Sequence, residues 1–351
     1  MRQFSGGEFI VMGIPGYTLD EATAKIIKEV QPAGFILFAR NIKDPQQLRK
    51  LTDELRASVK EEPIITIDQE GGRVSRLKEF MNEPPSAQQL AERGDIDLIK
   101  EHGTITGKLL RLFGFNLNLA PVLDILVDPK NDNSLKNRTY GTSAEEVINN
   151  ARAFAEHMSK EGILNCGKHY PGYSNANVDP HNDLPSVDRS LEDLMNLEWV
   201  PFVKVLPSLD LIMVGHVNYP QIDPSGYPAT LSRKMVHETL RENWNFKGCT
   251  ITDDMDMGAI RTKYGSAESA AMALRAGNDL MLVCHAVDAV PQIAKALAEV
   301  PQEIKEEAFA RIQTLRARLP KLPAFSMDEF HKLDEQVKEL RNKTLPATAS
   351  R

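Results

Sequence analysis

Residues 163–188, ILNCGKHYPGYSNANVDPHNDLPSVD, concentrate the groups of this chain best suited to chemistry. A short apolar run, Ile163 to Cys166, leads directly into Lys168 and His169. A loop rich in Gly, Ser and Asn follows and carries Asp179 and His181. Cationic and hydrogen-bonding side chains just past a strand end, backed by a polar loop with an acid and a histidine, make a candidate catalytic edge.

Such groups need a scaffold that brings several strand ends together. Eight short apolar runs recur along the chain: Phe9–Met12, Phe35–Ala39, Ile64–Asp68, Phe115–Val122, Ile163–Cys166, Leu211–Gly215, Cys249–Asp253 and Leu280–Cys284. Most show little alternation, as expected of strands covered on both faces. The segments between them carry helix signals. Ser143-Ala-Glu-Glu146 is a capping box opening a helix toward Met158. Asp44–Pro45 sets a proline just inside a helix start. Ser190, Ser232 and Ser266 are N-cap candidates, and Gly34, Gly114, Gly162 and Gly277 are C-cap candidates.

Strand–helix alternation repeated eight times predicts an α/β fold, a (β/α)8 TIM barrel. A doubly wound sheet would show a glycine-rich phosphate loop after its first strand. Gly13-Ile-Pro-Gly16 is neither a dinucleotide fingerprint nor a P-loop. No low-complexity linker divides the chain, so residues 1–342 read as one domain, with 301–342 forming one or two closing helices. The last residues, 343–351 (KTLPATASR), are expected to fray.

In this barrel, chemistry belongs at the C-terminal ends of the strands, and the polar residues collect there. The third run ends in Asp68, with Arg76 close behind, and the fourth leads to Asp124 and a long loop holding Arg138. The fifth supplies Lys168 and His169, the sixth His216, and the seventh Asp253 and Asp254. Interleaved acids and cations suit a neutral polyhydroxyl ligand, whose hydroxyls both donate and accept. A phosphate pocket would favour glycine amides, Lys and Arg without so many acids. The chain has no H-x-H or H-E-x-x-H, and Lys168 beside His169 disfavours a cation, so no metal or other cofactor is expected.

Composition narrows the setting. A net charge of −7 argues against a nucleic-acid surface. No window holds the ~18 apolar residues of a membrane span, and no apolar run near the N-terminus is long enough for a secretory signal. The three cysteines, Cys166, Cys249 and Cys284, each sit in a strand-like run and read as buried reduced thiols. A cytoplasmic enzyme is expected.

Several segments resemble the β-N-acetylglucosaminidases of glycoside hydrolase family 3, in the family order, over roughly residues 8–290. They are PAGFILFARNI (32–42), IDQEGGRVSR (67–76), APVLDI (120–125), NRTYG (137–141), GKHYPG (167–172), GHVNYPQIDPSGYPATLS (215–232) and TDDMDMGAI (252–260). The resemblance implies a retaining mechanism with Asp253 as nucleophile. It also implies a histidine acid/base, His181, oriented by Asp179 in the loop after the fifth strand. An unperturbed histidine titrates near ~6.5, so His181 can both give and take a proton at neutral pH. Asp68, Arg76, Arg138, Lys168 and His169 match positions that hold the sugar. Asp254, one residue past the nucleophile, is expected to point to the opposite side of its strand.

One departure stands out: the family loop continues from KH-aromatic-PG with His-Gly-Asp, whereas this chain has Tyr173-Ser-Asn175. The expected activity is removal of terminal β-linked N-acetylglucosamine from a carbohydrate substrate, in the setting of peptidoglycan-derived muropeptides. The alternatives are a phosphorylase that uses the same glycosyl-enzyme, and a sugar-binding barrel without turnover.

Overall fold

The computed structural model describes residues 2–127, 134–174 and 184–345. Its first three strands are β1 (Ile10–Gly13), β2 (Gly34–Leu37) and β3 (Ile64–Ile67). A small antiparallel hairpin, β4 (Gln69–Gly71) and β5 (Val74–Ser75), follows. Five further strands are β6 (Leu117–Asn118), β7 (Leu164–Tyr170), β8 (Leu211–Val214), β9 (Cys249–Asp254) and β10 (Leu280–Val283). All except the hairpin pair in parallel and close a barrel in the order β1-β2-β3-β6-β7-β8-β9-β10, with β10 returning to β1. The predicted (β/α)8 barrel is the fold. Strands β1, β2, β3, β8 and β10 are buried along their length because outer helices cover one face and barrel-filling side chains the other.

The helix boundaries follow local chemistry. Asp44 accepts from the Gln47 amide with Pro45 as the first helical residue, and Ser143 and Glu146 form the reciprocal capping box. Ser190 accepts from the Asp193 amide. Ser232 Oγ accepts from the Met235 amide at the entry to the helical segment Lys234–Asn243. Ser266 differs from expectation: it is already the first helical residue, and Gly265 precedes it.

Gly114, Gly162 and Gly277 take left-handed φ values of 86°, 92° and 111° after their helices, as expected. Gly34 does not. It opens β2, where an added Cβ would lie 2.2 Å from the Ile64 carbonyl oxygen, so strand proximity requires the glycine. Gln31, at φ 52°, ends the preceding helix instead.

Two helices, Gln302–Arg316 and Met327–Thr344, cover the barrel after β10. The second packs Phe330 against Phe80 and Phe113. It runs two residues into the stretch expected to fray. Among the described residues, no helix is long and apolar enough to cross a membrane. The three cysteines are buried and free.

The N-terminal end of the barrel carries structural charge. Asp279, just before β10, accepts from Arg241 at 2.7 Å, Arg311 at 2.9 Å and the Thr250 amide at 2.8 Å. Removing one member of a buried ion pair strands its partners. Asp279→Ala is therefore expected to cost about 3–5 kcal/mol, readable as a lowered midpoint in urea with an unchanged slope. A loss below about 1 kcal/mol would mean these arginines are effectively solvated.

Two strands depart from the sequence reading in ways that matter for the site. β6 is shorter than the apolar run because asparagine side chains replace part of the ladder. Asn116 Oδ1 accepts from the Ile65 amide, and Asn118 Oδ1 accepts from the Gln69 amide. β7 is longer, so Lys168 and His169 lie inside the strand rather than past its end.

Candidate active site

At the C-terminal ends of the strands lies a cavity of about 490 Å3. Its wall includes Asp68, Arg76, Arg138, Lys168, His169 and Asp253. Six residues called from sequence thus meet in one place.

One side is an ionic cluster. Lys168 Nζ lies 2.7 Å from Asp68 Oδ1 and 2.6 Å from Glu70 Oε1. Arg138 grips Glu70 with two hydrogen bonds of 2.8 Å, and Arg76 reaches Asp68 Oδ2 at 3.3 Å. Burial would raise the Glu70 carboxyl, but the Arg138 and Lys168 charges outweigh it and hold it far below the ordinary range. Burial likewise opposes the Lys168 ammonium, while Asp68 and Glu70 keep it protonated. Glu70 is consumed by this pairing. Asp68, with 15% of its side chain exposed, still faces the cavity and can accept ligand hydroxyls. Lys168 retains a third N–H to donate.

A second group positions the end of β7. Asp124 is fully buried, and its Oδ2 accepts from the His169 backbone amide at 3.1 Å and lies 2.9 Å from His169 Nδ1. Its Oδ1 accepts from the Tyr173 amide at 2.6 Å. An arginine can only donate, so the 3.3 Å contact from Arg138 to His169 Nε2 makes that nitrogen the acceptor and Nδ1–H the donor to Asp124. One carboxylate therefore fixes both the ring and the turn that follows it.

The third group surrounds Asp253 at the end of β9. Its Oδ1 accepts from the Asp254 amide at 2.9 Å, and its Oδ2 accepts from the Tyr173 hydroxyl at 3.4 Å. Burial would raise this carboxyl, but the His216 ring, the Asp254 amide and the Lys168 ammonium together hold it below the usual value. Asp253 is thus an ionised carboxylate in a recessed cavity, available to attack an electrophilic carbon. His216 braces the adjoining backbone: its Nε2 donates to the Asp254 carbonyl at 2.9 Å, and Nδ1 lies 2.7 Å from Thr230 Oγ1.

The sequence profile described as "Glycosyl hydrolase family 3 N terminal domain" matches residues 6–315. The chain belongs to glycosyl hydrolase family 3. A relative named beta-hexosaminidase, from Pseudomonas aeruginosa, is 32% identical over 310 residues, covering 88% of this chain and 91% of the relative. Among solved structures, a family 3 β-N-acetylglucosaminidase from Paenibacillus sp. superposes with a TM-score of 0.88 at 31% identity, covering 97% of this chain and 69% of that one. NagZ from Neisseria gonorrhoeae, in complex with N-trifluoroacetyl-D-glucosamine, superposes with a TM-score of 0.82 at 28% identity, covering 97% and 100%.

As a family 3 glycoside hydrolase, the chain departs from its sequence reading at Asp254. Asp179 and His181 lie outside the described residues. Asp254 does not turn away from the site: it lines the same cavity as Asp253. Its Oδ1 is held there by the amides of Asp256 and Cys284, at 3.0 and 3.1 Å. Finally, sequence reasoning assigned no role to Glu70, Asp124, Tyr173 or His216. Glu70 had a local signal, sitting two residues after Asp68 and so able to share its side of an extended segment. Tyr173 stood out only as a departure from the family loop, and nothing local ties it to Asp253, 80 residues away.

Asp254 gives the family 3 site a measurable titration. Burial, reinforced by the Asp256 and Asp253 charges, pushes its carboxyl up to about 6 from an ordinary 3.8. A raised folded-state value contributes stability below the unfolded value, and that contribution is lost as pH rises through the folded one. Asp254→Asn keeps the oxygen that accepts both amides and cannot ionise. Its melting temperature is expected to gain on wild type between about pH 4 and pH 6. Parallel curves across that window would mean Asp254 titrates normally.

Proposed function

We propose that this family 3 enzyme is a retaining exo-β-N-acetylglucosaminidase. The observation that carries the reading is the low-lying Asp253 carboxylate in a cavity also lined by Asp68 and Lys168, a pair that suits sugar hydroxyls. An Asp253 oxygen attacks the anomeric carbon, and the C1–O bond to the leaving group breaks. His181, held by Asp179, gives its proton to the departing oxygen. Water then attacks C1, its proton passes to His181, and the bond to Asp253 breaks to return the carboxylate. Asp68, Arg76, Arg138, Lys168 and His169 hold the sugar. Ground for the N-acetyl preference comes from the beta-hexosaminidase relatives and from the N-trifluoroacetyl-D-glucosamine complex of the Neisseria gonorrhoeae neighbour. We place the activity in the cytoplasm, on terminal N-acetylglucosamine of peptidoglycan-derived muropeptides.

The test is 4-nitrophenol release from the N-acetyl-β-glucosaminide and the β-glucoside, each with and without phosphate. Strong preference for the N-acetyl sugar, independent of phosphate, is expected. Turnover that requires phosphate would replace the hydrolase with a phosphorylase, and binding without turnover would leave a sugar-binding barrel. His181→Ala is expected to slow substrates with poor leaving groups about 10²–10⁴-fold and to spare activated aryl glycosides. Equal losses on both would remove the acid role.

A further inference from the structure

The point where this chain leaves the family pattern, Tyr173, is also the residue that touches Asp253. Resting on the retaining reading above, we infer that the Tyr173 hydroxyl is the positioning residue that governs release of the sugar from Asp253.

The surroundings of the hydroxyl aim it at Asp253. Tyr173 is 3% exposed, its ring lies 5.2 Å from that of His169, and its backbone is tied to Asp124. Its oxygen accepts the His216 amide at 2.7 Å, so its own hydrogen is free to point at Asp253 Oδ2. Room for that oxygen depends on Gly215, where an added Cβ would lie 2.5 Å from it. Burial, with the Asp253 charge, keeps the phenol protonated far above its ordinary range, so it remains a donor at any working pH. At 3.4 Å the contact is long, as catalytic hydrogen bonds often are before substrate is bound. Among the described residues the two Asp253 oxygens thus have one donor each, the Asp254 amide and the Tyr173 hydroxyl.

That placement acts unequally on the two steps. A donor stabilises the carboxylate most when it carries full negative charge, which is in the free enzyme and as the sugar departs. In the glycosyl-enzyme the carboxylate has become an ester, and the hydrogen bond is weaker. Formation of the intermediate therefore gains little from Tyr173. Its breakdown, in which water takes C1 and the bonding electrons return to Asp253, gains most.

The experiment is Tyr173→Phe on 4-nitrophenyl N-acetyl-β-glucosaminide, which keeps the ring and removes one oxygen. kcat is expected to fall about 10- to 100-fold, the range for a hydrogen bond to a charged group. KM is expected to fall with it, leaving kcat/KM within about threefold of wild type. Rapid mixing should show a burst of 4-nitrophenol equal to the enzyme concentration, and intact-mass measurement should show enzyme carrying one sugar. Tyr173→His, which restores a donor of the type the family pattern carries here, should shrink the burst.

A residue that is merely structural would lower kcat/KM and the melting temperature without a burst. That result, wild-type kinetics in the Phe variant, or an undiminished burst in the His variant would overturn the assignment while leaving the glycosidase reading intact. A wild-type enzyme that releases no 4-nitrophenol, or that turns over as well after Asp253→Ala, would overturn the reading itself and this inference with it.

Discussion

Asp253→Ala is expected to lower turnover by on the order of 10⁴-fold or more, the scale seen when a covalent nucleophile is deleted. Among the described residues the carboxylate makes no ion pair, and its hydrogen-bond partners are a backbone amide and a tyrosine hydroxyl. Stability should therefore change little, so an inactive variant should melt close to wild type. Removing the side chain also opens a small gap below C1. Azide should enter that gap and restore turnover of activated aryl glycosides, giving a glycosyl azide of inverted configuration. Residual activity within about tenfold of wild type would exclude Asp253 as nucleophile, as would azide rescue with retained configuration.

Asp68→Ala carries the second-largest expected effect. Asp68 meets Lys168 and Arg76 on one side and the cavity on the other. In the proposed complex it accepts from two adjacent hydroxyls, each hydrogen bond to the charged group being worth about 1.5–3 kcal/mol. Losing both is expected to reduce kcat/KM by about 10²–10⁴-fold. Lys168 keeps Glu70 after the change, so stability should fall by only about 1–3 kcal/mol. Deoxy substrates sharpen the measurement. A sugar lacking the hydroxyl that Asp68 accepts should react poorly with wild type, yet lose little more in the variant. Full additivity of the two losses would show that Asp68 acts through Lys168 rather than on the sugar.

Much of this architecture was legible in the chain. Strands covered on both faces must be apolar throughout, so Ile64–Ile67, Leu211–Val214 and Leu280–Val283 stand out as short runs without alternation. Helix starts such as Asp44 and Ser143 were legible because an N-cap is satisfied within three or four residues. Where pairing was not local, the reading slipped. Gly34 looked like a helix end, but the neighbouring strand demands it, and β6 is cut short by asparagine side chains that only their partners explain.

The candidate site divides along the same line. Asp68, Arg76, Arg138, Lys168, His169 and Asp253 follow strand geometry and motif order, so the sequence by itself placed them on one face. Their electrical states depend on contacts across the barrel. Lys168 and Asp68 are 100 residues apart, and Arg138 and Glu70 are 68 apart. Asp253 and Asp254 are adjacent and chemically identical, yet one is held low by the groups around it and the other is raised to about 6 by burial. Periodicity and capping are short-range and survive in a string of letters. Burial, charge pairing and the aim of a hydroxyl are set by whichever distant groups the folded chain brings within a few ångströms, so the tertiary structure alone decided which acid is held low, which is raised, and that Tyr173 faces Asp253.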